Sequence, residues 1–150
     1  MIALVLPYPI SSNRYWRPVR IGAHITIVPT KEAKAYREDV GKAVKAAGVS
    51  EPIGGRVAID VRLYPNRPQD WAKRARLNPL AWDDTVQCID LDNANKVLLD
   101  SLKGVAIEDD KWVRRLTSER MEPDGEARVV VTITALALPA SPQASLLEVA

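Results

Sequence analysis

The sequence predicts a single α+β domain, a mixed β-sheet packed by two helices, and three observations carry that expectation. Val57 to Tyr64 alternates, with Val57, Ile59, Val61 and Leu63 on one side and Asp60 and Arg62 on the other, which is the period of a half-buried strand. Two other segments repeat apolar residues at helical spacing: Ala33, Tyr36, Val40, Ala43, Val44 and Ala47, then Leu91, Ala94, Leu98 and Leu102. Strands interspersed with two helices suit helices packed on one mixed sheet.

Taken in order, Ile2 to Leu6 is a short apolar strand ended by Pro7 and Pro9, and it reads as a first strand rather than a signal peptide because no basic region precedes it. Ser11-Ser12-Asn13 continues as a loop, and His24 to Val28 forms a second strand. Thr30 is placed to cap a helix running to Ala47, with Gly48 as its stop. After the strand at 57–64, the stretch from Pro65 to Gln87 has no clear period and reads as a long insertion, and loops of that length are usually functional or disordered. A helix from Leu91 to Leu102 ends at Gly104. Trp112 to Arg120 and Ala127 to Leu136 are two strands, and Glu122-Pro123-Asp124-Gly125 between them is a turn that predicts a hairpin. The domain is thus expected over residues 1–138, with 65–89 as an insertion or flap and 139–150 as a frayed, flexible tail.

Composition narrows the chemistry. At 150 residues, 47% hydrophobic and 27% charged, the chain resembles an ordinary soluble domain, with no apolar run long enough for a membrane span. Cys88 is the lone cysteine, which excludes an internal disulfide and fits a reducing, cytoplasmic setting. A single histidine, His24, excludes a histidine-built metal site, and no G-x-x-x-x-G-K-[ST] motif supports an ATP-driven activity.

The chemistry-bearing feature is an acidic cluster. It opens with Asp90-Leu91-Asp92-Asn93, passes Lys96 and Asp100, and closes on Glu108-Asp109-Asp110. Carboxylates with one lysine and no Cys/His set form a hard-metal composition that suits Mg²⁺ or Mn²⁺, ions that usually act on phosphate esters. Asp90 and Asp92 point about 200° apart inside a helix but share a face in an extended segment, so a common metal requires them at the helix entry. The competing explanation is plain: the aspartates cap a helix, Lys96 pairs with Asp92 or Asp100 one turn away, and residues 108–110 form a solvated acidic turn.

Net charge is +2, so the whole-chain balance says little about nucleic acid, but its distribution says more. Arg62, Arg67, Lys73, Arg74 and Arg76 face Asp70 alone across residues 62–76, and Arg14, Arg17 and Arg20 form a second basic group. Local excess of this kind neutralises phosphates. Asn13, Arg14 and Arg17, with Tyr15 and Trp16 among them, read either as a DNA-contacting loop or as a surface loop whose aromatics pack on the sheet. Arg67, Lys73, Arg74 and Arg76 read either as a DNA-binding flap or as a solvated charged loop.

Asp90-Leu91-Asp92-Asn93-x-x-Lys96, followed by Asp100-x-Leu102-x-Gly104-Val105 and Asp109-Asp110, resembles the signature of RusA-type Holliday junction resolvases. Leu6-Pro7-Tyr8-Pro9, Ser12-Asn13-Arg14-Tyr15 and Ala35-Tyr36-Arg37 resemble the same family's opening and first helix, so the likeness runs from about Leu4 to Thr134. The resemblance implies a homodimeric, Mg²⁺-dependent endonuclease, with Mn²⁺ as a substitute, that cuts four-way DNA junctions by paired nicks. It implies Asp90, Asp92 and Asp110 as metal-binding catalytic acids and Lys96 as the catalytic or phosphate-contacting lysine, with Asp109 adjacent and Asp100 structural. It further suggests a phage or prophage setting. The insertion departs from the family's compact pattern, and apolar Ile89 stands before Asp90 where a basic residue is expected. A flap or fork nuclease and a junction-binding protein that no longer cuts are the alternatives; intact Asp90, Asp92, Lys96 and Asp110 argue against the latter, because carboxylates without a metal repel DNA.

Overall fold

The computed structural model describes residues 1–139; the tail expected from 139 onward lies, from residue 140, outside the described residues. Four strands form one mixed sheet in the order β1-β6-β4-β5, from β1 (Ile2–Pro7), β4 (Val57–Tyr64), β5 (Val113–Arg120) and β6 (Arg128–Ala135). β6 runs antiparallel to both β1 and β4, whereas β5 runs parallel to β4. The parallel pair needs a crossover, and α4 (Leu91–Leu102) supplies it.

The core lies between one face of this sheet and two long helices. Leu4 and Leu6, Val57, Ile59, Val61 and Leu63, and Val129, Val131 and Ile133 alternate inward from three strands. They meet Ala33, Tyr36, Val40 and Val44 of α2 (Lys31–Ala46) and Ala94, Val97, Leu98 and Leu102 of α4. Ala43 is only half-buried and Ala47 is exposed, so the stripe of α2 is narrower than its sequence suggests. Thr30 caps α2 as expected: its hydroxyl oxygen accepts from the Ala33 amide at 3.1 Å and its O–H donates to the Arg14 carbonyl at 2.7 Å.

Three expectations are corrected. β5 and β6 do not form a hairpin, because β4 lies between them. β4 buries five of its first seven side chains, Val57, Ala58, Ile59, Val61 and Leu63, so pairing on both edges keeps the most apolar strand in the sheet interior. The basic loop at 13–17 is instead a single helical turn, α1 (Ser12–Tyr15), followed by β2 (Trp16–Ile21), which pairs with β3 (His24–Pro29) as a separate two-stranded ribbon turned at Gly22. The insertion is also structured. It holds α3 (Trp71–Leu77) and a 3₁₀ turn at Trp82–Thr85.

The insertion is fastened to the sheet at several points. The Trp82 ring is buried and its indole N–H donates to Glu122 at 2.9 Å. Arg120 donates to the carbonyls of Asp83 and Val86, both at 2.8 Å, and the Arg67 amide donates to the Gly125 carbonyl at 2.8 Å. Arg67 stacks over Trp71 at 4.6 Å. By contrast, α3 itself buries no residue, and its Lys73 and Arg76 are exposed.

Candidate functional site

The site is organised by the entry to α4. Asp90 is the N-cap residue in extended conformation, yet its carboxylate makes no capping hydrogen bond. Asp92 lies in the first helical turn. Both side chains are exposed, and neither forms an ion pair among the described residues. Simple helix capping therefore does not account for them: two carboxylates stand at the entry of a helix without a capping hydrogen bond from Asp90 or an ion pair from either, among the described residues. Lys96, one turn beyond Asp92, is exposed and likewise unpaired among the described residues, so the ion pairs expected with Asp92 and Asp100 do not form.

Neighbouring side chains hold this helix in place. Asn93 Oδ1 accepts from the Ser12 hydroxyl at 2.5 Å, which joins α4 to α1, and Asn95 Oδ1 accepts from the Ser118 hydroxyl at 2.9 Å, which joins α4 to β5. On the remaining buried flank Asp100 receives Arg37 Nε at 2.9 Å and the Tyr15 phenol, so Asp100 is structural. These contacts turn Asp92 and Lys96 to the outer side of α4.

Asp110 stands elsewhere. It opens a 3₁₀ turn, Asp110–Trp112, that precedes β5, and Asp109 caps this turn by accepting from the Lys111 amide at 3.1 Å. Asp109 also lies 3.9 Å from Lys103, the C-cap residue of α4. The hydrogen bond between the two adjacent carboxyls raises the pKa of Asp110 and lowers that of Asp109. From Asp92 to Lys103 the helix rises about 16 Å. The acidic cluster is thus divided between opposite ends of α4, and among the described residues no group of three His, Cys, Asp or Glu side chains is close enough to hold a metal.

A groove of about 820 Å³ opens beside the α4 entry. Its lining includes Asp90 and Asn93, Arg14 of α1, Arg74 of α3, and Asn66, Gln87 and Cys88 of the insertion. Arg74 is held by Asp70 at 2.9 Å and by the Thr85 hydroxyl at 3.2 Å. Of the basic residues singled out in the sequence, Arg14 and Arg74 line this groove; Arg67, Lys73 and Arg76 are exposed nearby on the insertion, Asn13 is exposed on α1, and Arg17 is exposed on β2. Sequence reasoning missed the wall itself, formed by Tyr8, Asn66, Gln87 and Cys88. The only hint was the length of the segment that carries three of them. Tyr8 is fixed there by the Ile89 amide, which donates to its hydroxyl at 2.8 Å.

Carboxylates free of ion pairs at the α4 entry, beside a groove lined by Arg14 and Arg74 on an α+β scaffold, suit chemistry on an anionic substrate. The family described as endodeoxyribonuclease RusA matches residues 7–134, and the chain belongs to that family. It is 29% identical to the crossover junction endodeoxyribonuclease RusA of Escherichia coli strain K12 over 96 residues, covering 59% of this chain and 77% of that protein. It is 30% identical to the enzyme of the same name from Enterobacteria phage 82 over 95 residues, 58% of this chain and 76% of the relative. The likeness to the Escherichia coli O139:H28 protein of that name is longer, 28% over 135 residues, 89% of this chain and 94% of the relative. Among the described residues no helix is long and apolar enough to cross a membrane.

Proposed function

We propose that this protein resolves four-way DNA junctions by paired nicks, as a Mg²⁺-dependent homodimer acting in the cytoplasm. The observation that carries the reading is the pair of carboxylates at the α4 entry: Asp90, which makes no capping hydrogen bond and lines a groove together with Arg14 and Arg74, and Asp92 in the first turn. Their donor chemistry fits a hard divalent cation, for which Mn²⁺ is a substitute. When bound, such a cation polarises a phosphate ester and lowers the pKa of water. Arg14 and Arg74 neutralise and orient the backbone of the strand to be cut, while Lys96 stabilises negative charge that accumulates on the phosphate. Asn13, Arg17, Arg67, Lys73 and Arg76 extend the phosphate-binding surface on either side.

The distance along α4 favours a dimer. Asp110 lies by the far end of α4, a helical rise of about 16 Å from Asp92 of its own chain, so in this reading the partner subunit's Asp110 completes the set. The sheet offers a way to do this. Among the described residues β5 pairs with β4 alone and leaves its other edge open. Antiparallel pairing of two β5 edges about a two-fold axis sets the start of one strand beside the end of the other. Asn95 near the α4 entry is bonded to Ser118, close to the end of β5, whereas Asp110 immediately precedes its start. Two such sites on one axis suit a substrate with two symmetric strands to cut.

The test is cleavage of a synthetic four-way junction in Mg²⁺, beside linear duplex and a flap, with Asp92→Asn as control. Symmetric nicks in the junction alone, lost in the variant, are expected. Preferential flap cutting would replace this reading with the broader nuclease, and tight binding without cleavage in Mg²⁺ or Mn²⁺ would replace it with a binding protein.

A further inference from the structure

The insertion ends at residue 89, so its last residue adjoins Asp90. Within it α3 buries no residue, and a segment with so little buried is the first to shift under load. Any displacement of the insertion reaches Asp90 through residues 86–89 unless something stops it.

Two side chains stand in that path. Arg120, the last residue of β5, donates to the carbonyls of Asp83 and Val86, both at 2.8 Å. Tyr8, which follows β1, takes the Ile89 amide on its hydroxyl oxygen at 2.8 Å and turns its own O–H toward Cys88 Sγ at 3.6 Å. Tyr8 is anchored in turn, because the Tyr36 phenol of α2 donates to the carbonyl of Pro7 at 2.8 Å. The chain before Asp90 is thus pinned to β5 and, through Tyr8, to α2.

Asp90 depends on this. Its carboxylate makes no capping hydrogen bond and no ion pair among the described residues, so its direction follows the backbone on either side of its Cα. On the C-terminal side its carbonyl accepts from the Ala94 amide at 3.0 Å. On the N-terminal side the tie to another element is the one from Ile89 to Tyr8. Asp92 has its own support, since it rides on the first turn of a helix joined to α1 by Asn93 and to β5 by Asn95. The spacing of the two carboxylates is therefore governed by how residues 86–89 are held.

On the metal-dependent reading above, we infer that Tyr8 and Arg120 are positioning residues that isolate Asp90 from the insertion. The phenol holds the Ile89 amide and the guanidinium holds the Val86 carbonyl, so the Asp90 carboxylate keeps one geometry toward a divalent cation while the insertion moves. Mg²⁺ demands near-ideal octahedral geometry, so a carboxylate that drifts binds it less well. Groups that hold a metal ligand from behind commonly change metal affinity or activity roughly ten- to hundredfold.

The experiment uses the full chain as wild type, Tyr8→Phe and Arg120→Ala. Tyr8→Phe keeps the ring and removes only the hydroxyl. Mn²⁺ affinity is measured without DNA, from the free-ion signal in electron paramagnetic resonance. It is expected to fall roughly tenfold in Tyr8→Phe and by less in Arg120→Ala. Cleavage of a four-way junction is followed against Mg²⁺ concentration. Tyr8→Phe is expected to need roughly tenfold more Mg²⁺ for half-maximal kcat, to approach the wild-type rate at high Mg²⁺, and to keep the KM for the junction. A role confined to folding shifts the unfolding midpoint and leaves Mn²⁺ affinity and Mg²⁺ requirement as in wild type; that result in both variants would overturn the inference. So would a raised KM with an unchanged Mg²⁺ requirement, which would mark the two residues as DNA contacts. If wild type cuts no junction, the nuclease reading falls and Mn²⁺ affinity alone decides: a loss in Tyr8→Phe upholds the positioning role, and equal affinities overturn it.

Discussion

Arg37 of α2 and Asp100 of α4 form the ion pair that ties the two long helices together, and the phenol of Tyr15 donates to the same carboxylate oxygen. Tyr15 is fully buried, and Arg37 Nε lies 2.6 Å from its hydroxyl. Replacing Asp100 with Ala removes the acceptor for both donors and is expected to cost about 1–3 kcal/mol. Asp100→Asn, which keeps one acceptor oxygen, is expected to cost less. Urea unfolding reads both as shifts in midpoint at constant slope, and an Ala variant with the wild-type midpoint would contradict this account.

The division of the acidic cluster leads to a mixing experiment. Under the proposed dimeric reading, the Asp92→Asn and Asp110→Asn variants are each expected to bind the junction and leave it uncut. When the two are mixed and allowed to exchange subunits, a heterodimer that shares sites between chains has one site with both mutations and one with neither. Single nicks are then expected to reappear. A site contained within one chain predicts no recovery at any mixing ratio.

Arg74 lies on the groove, fastened by Asp70 and Thr85. Arg74→Ala is expected to weaken junction binding and to reduce the slope of log affinity against log salt by about 1, one phosphate contact being lost. An unchanged slope would remove Arg74 from the phosphate-binding set.

Tyr8 gives a pH dependence. Burial foremost, with a smaller contribution from Cys88, pushes its phenol from 10.0 up to about 12, against an opposing hydrogen bond from the Ile89 amide. Between these values the native chain keeps a proton that the unfolded phenol has released, so stability falls as pH rises from 10.0 to about 12 and is level with respect to this group below that window. Tyr15 and Tyr36 are also raised, chiefly by burial, so the useful quantity is a difference between variants. Tyr8→Phe is expected to have a shallower alkaline decline than wild type, measured as urea midpoint against pH; parallel curves would contradict it.

What was readable in the sequence followed the range over which each feature is determined. Thr30 and Gly48 bracket α2 locally, and the alternation at 57–64 specifies a strand without reference to the rest of the chain. Periodicity does not say which strand stands beside which, and so the turn at 122–125 suggested a hairpin although β4 separates β5 from β6. α3 escaped notice for a different reason: a helix with no buried face needs no apolar stripe. The acidic motif was visible as residue types in order. Its separation was not, because only the direction of α4 between the two halves puts Asp92 and Asp110 at opposite ends.

The strand order also constrains how the chain can be made. Of the described strands of this sheet β1 is made before the others, and its partner among them is β6, made after the others. Throughout synthesis the residues Ile2–Pro7 wait without a neighbour, and β4 waits with them for one of its two edges. Closing a sheet through such distant pairings is slow and leaves strand edges open to other chains meanwhile. A protein truncated before Arg128 would lose β6, the strand that joins β1 to the rest, so synthesis of β6, rather than emergence of the residues before it, is the event that permits the sheet to form.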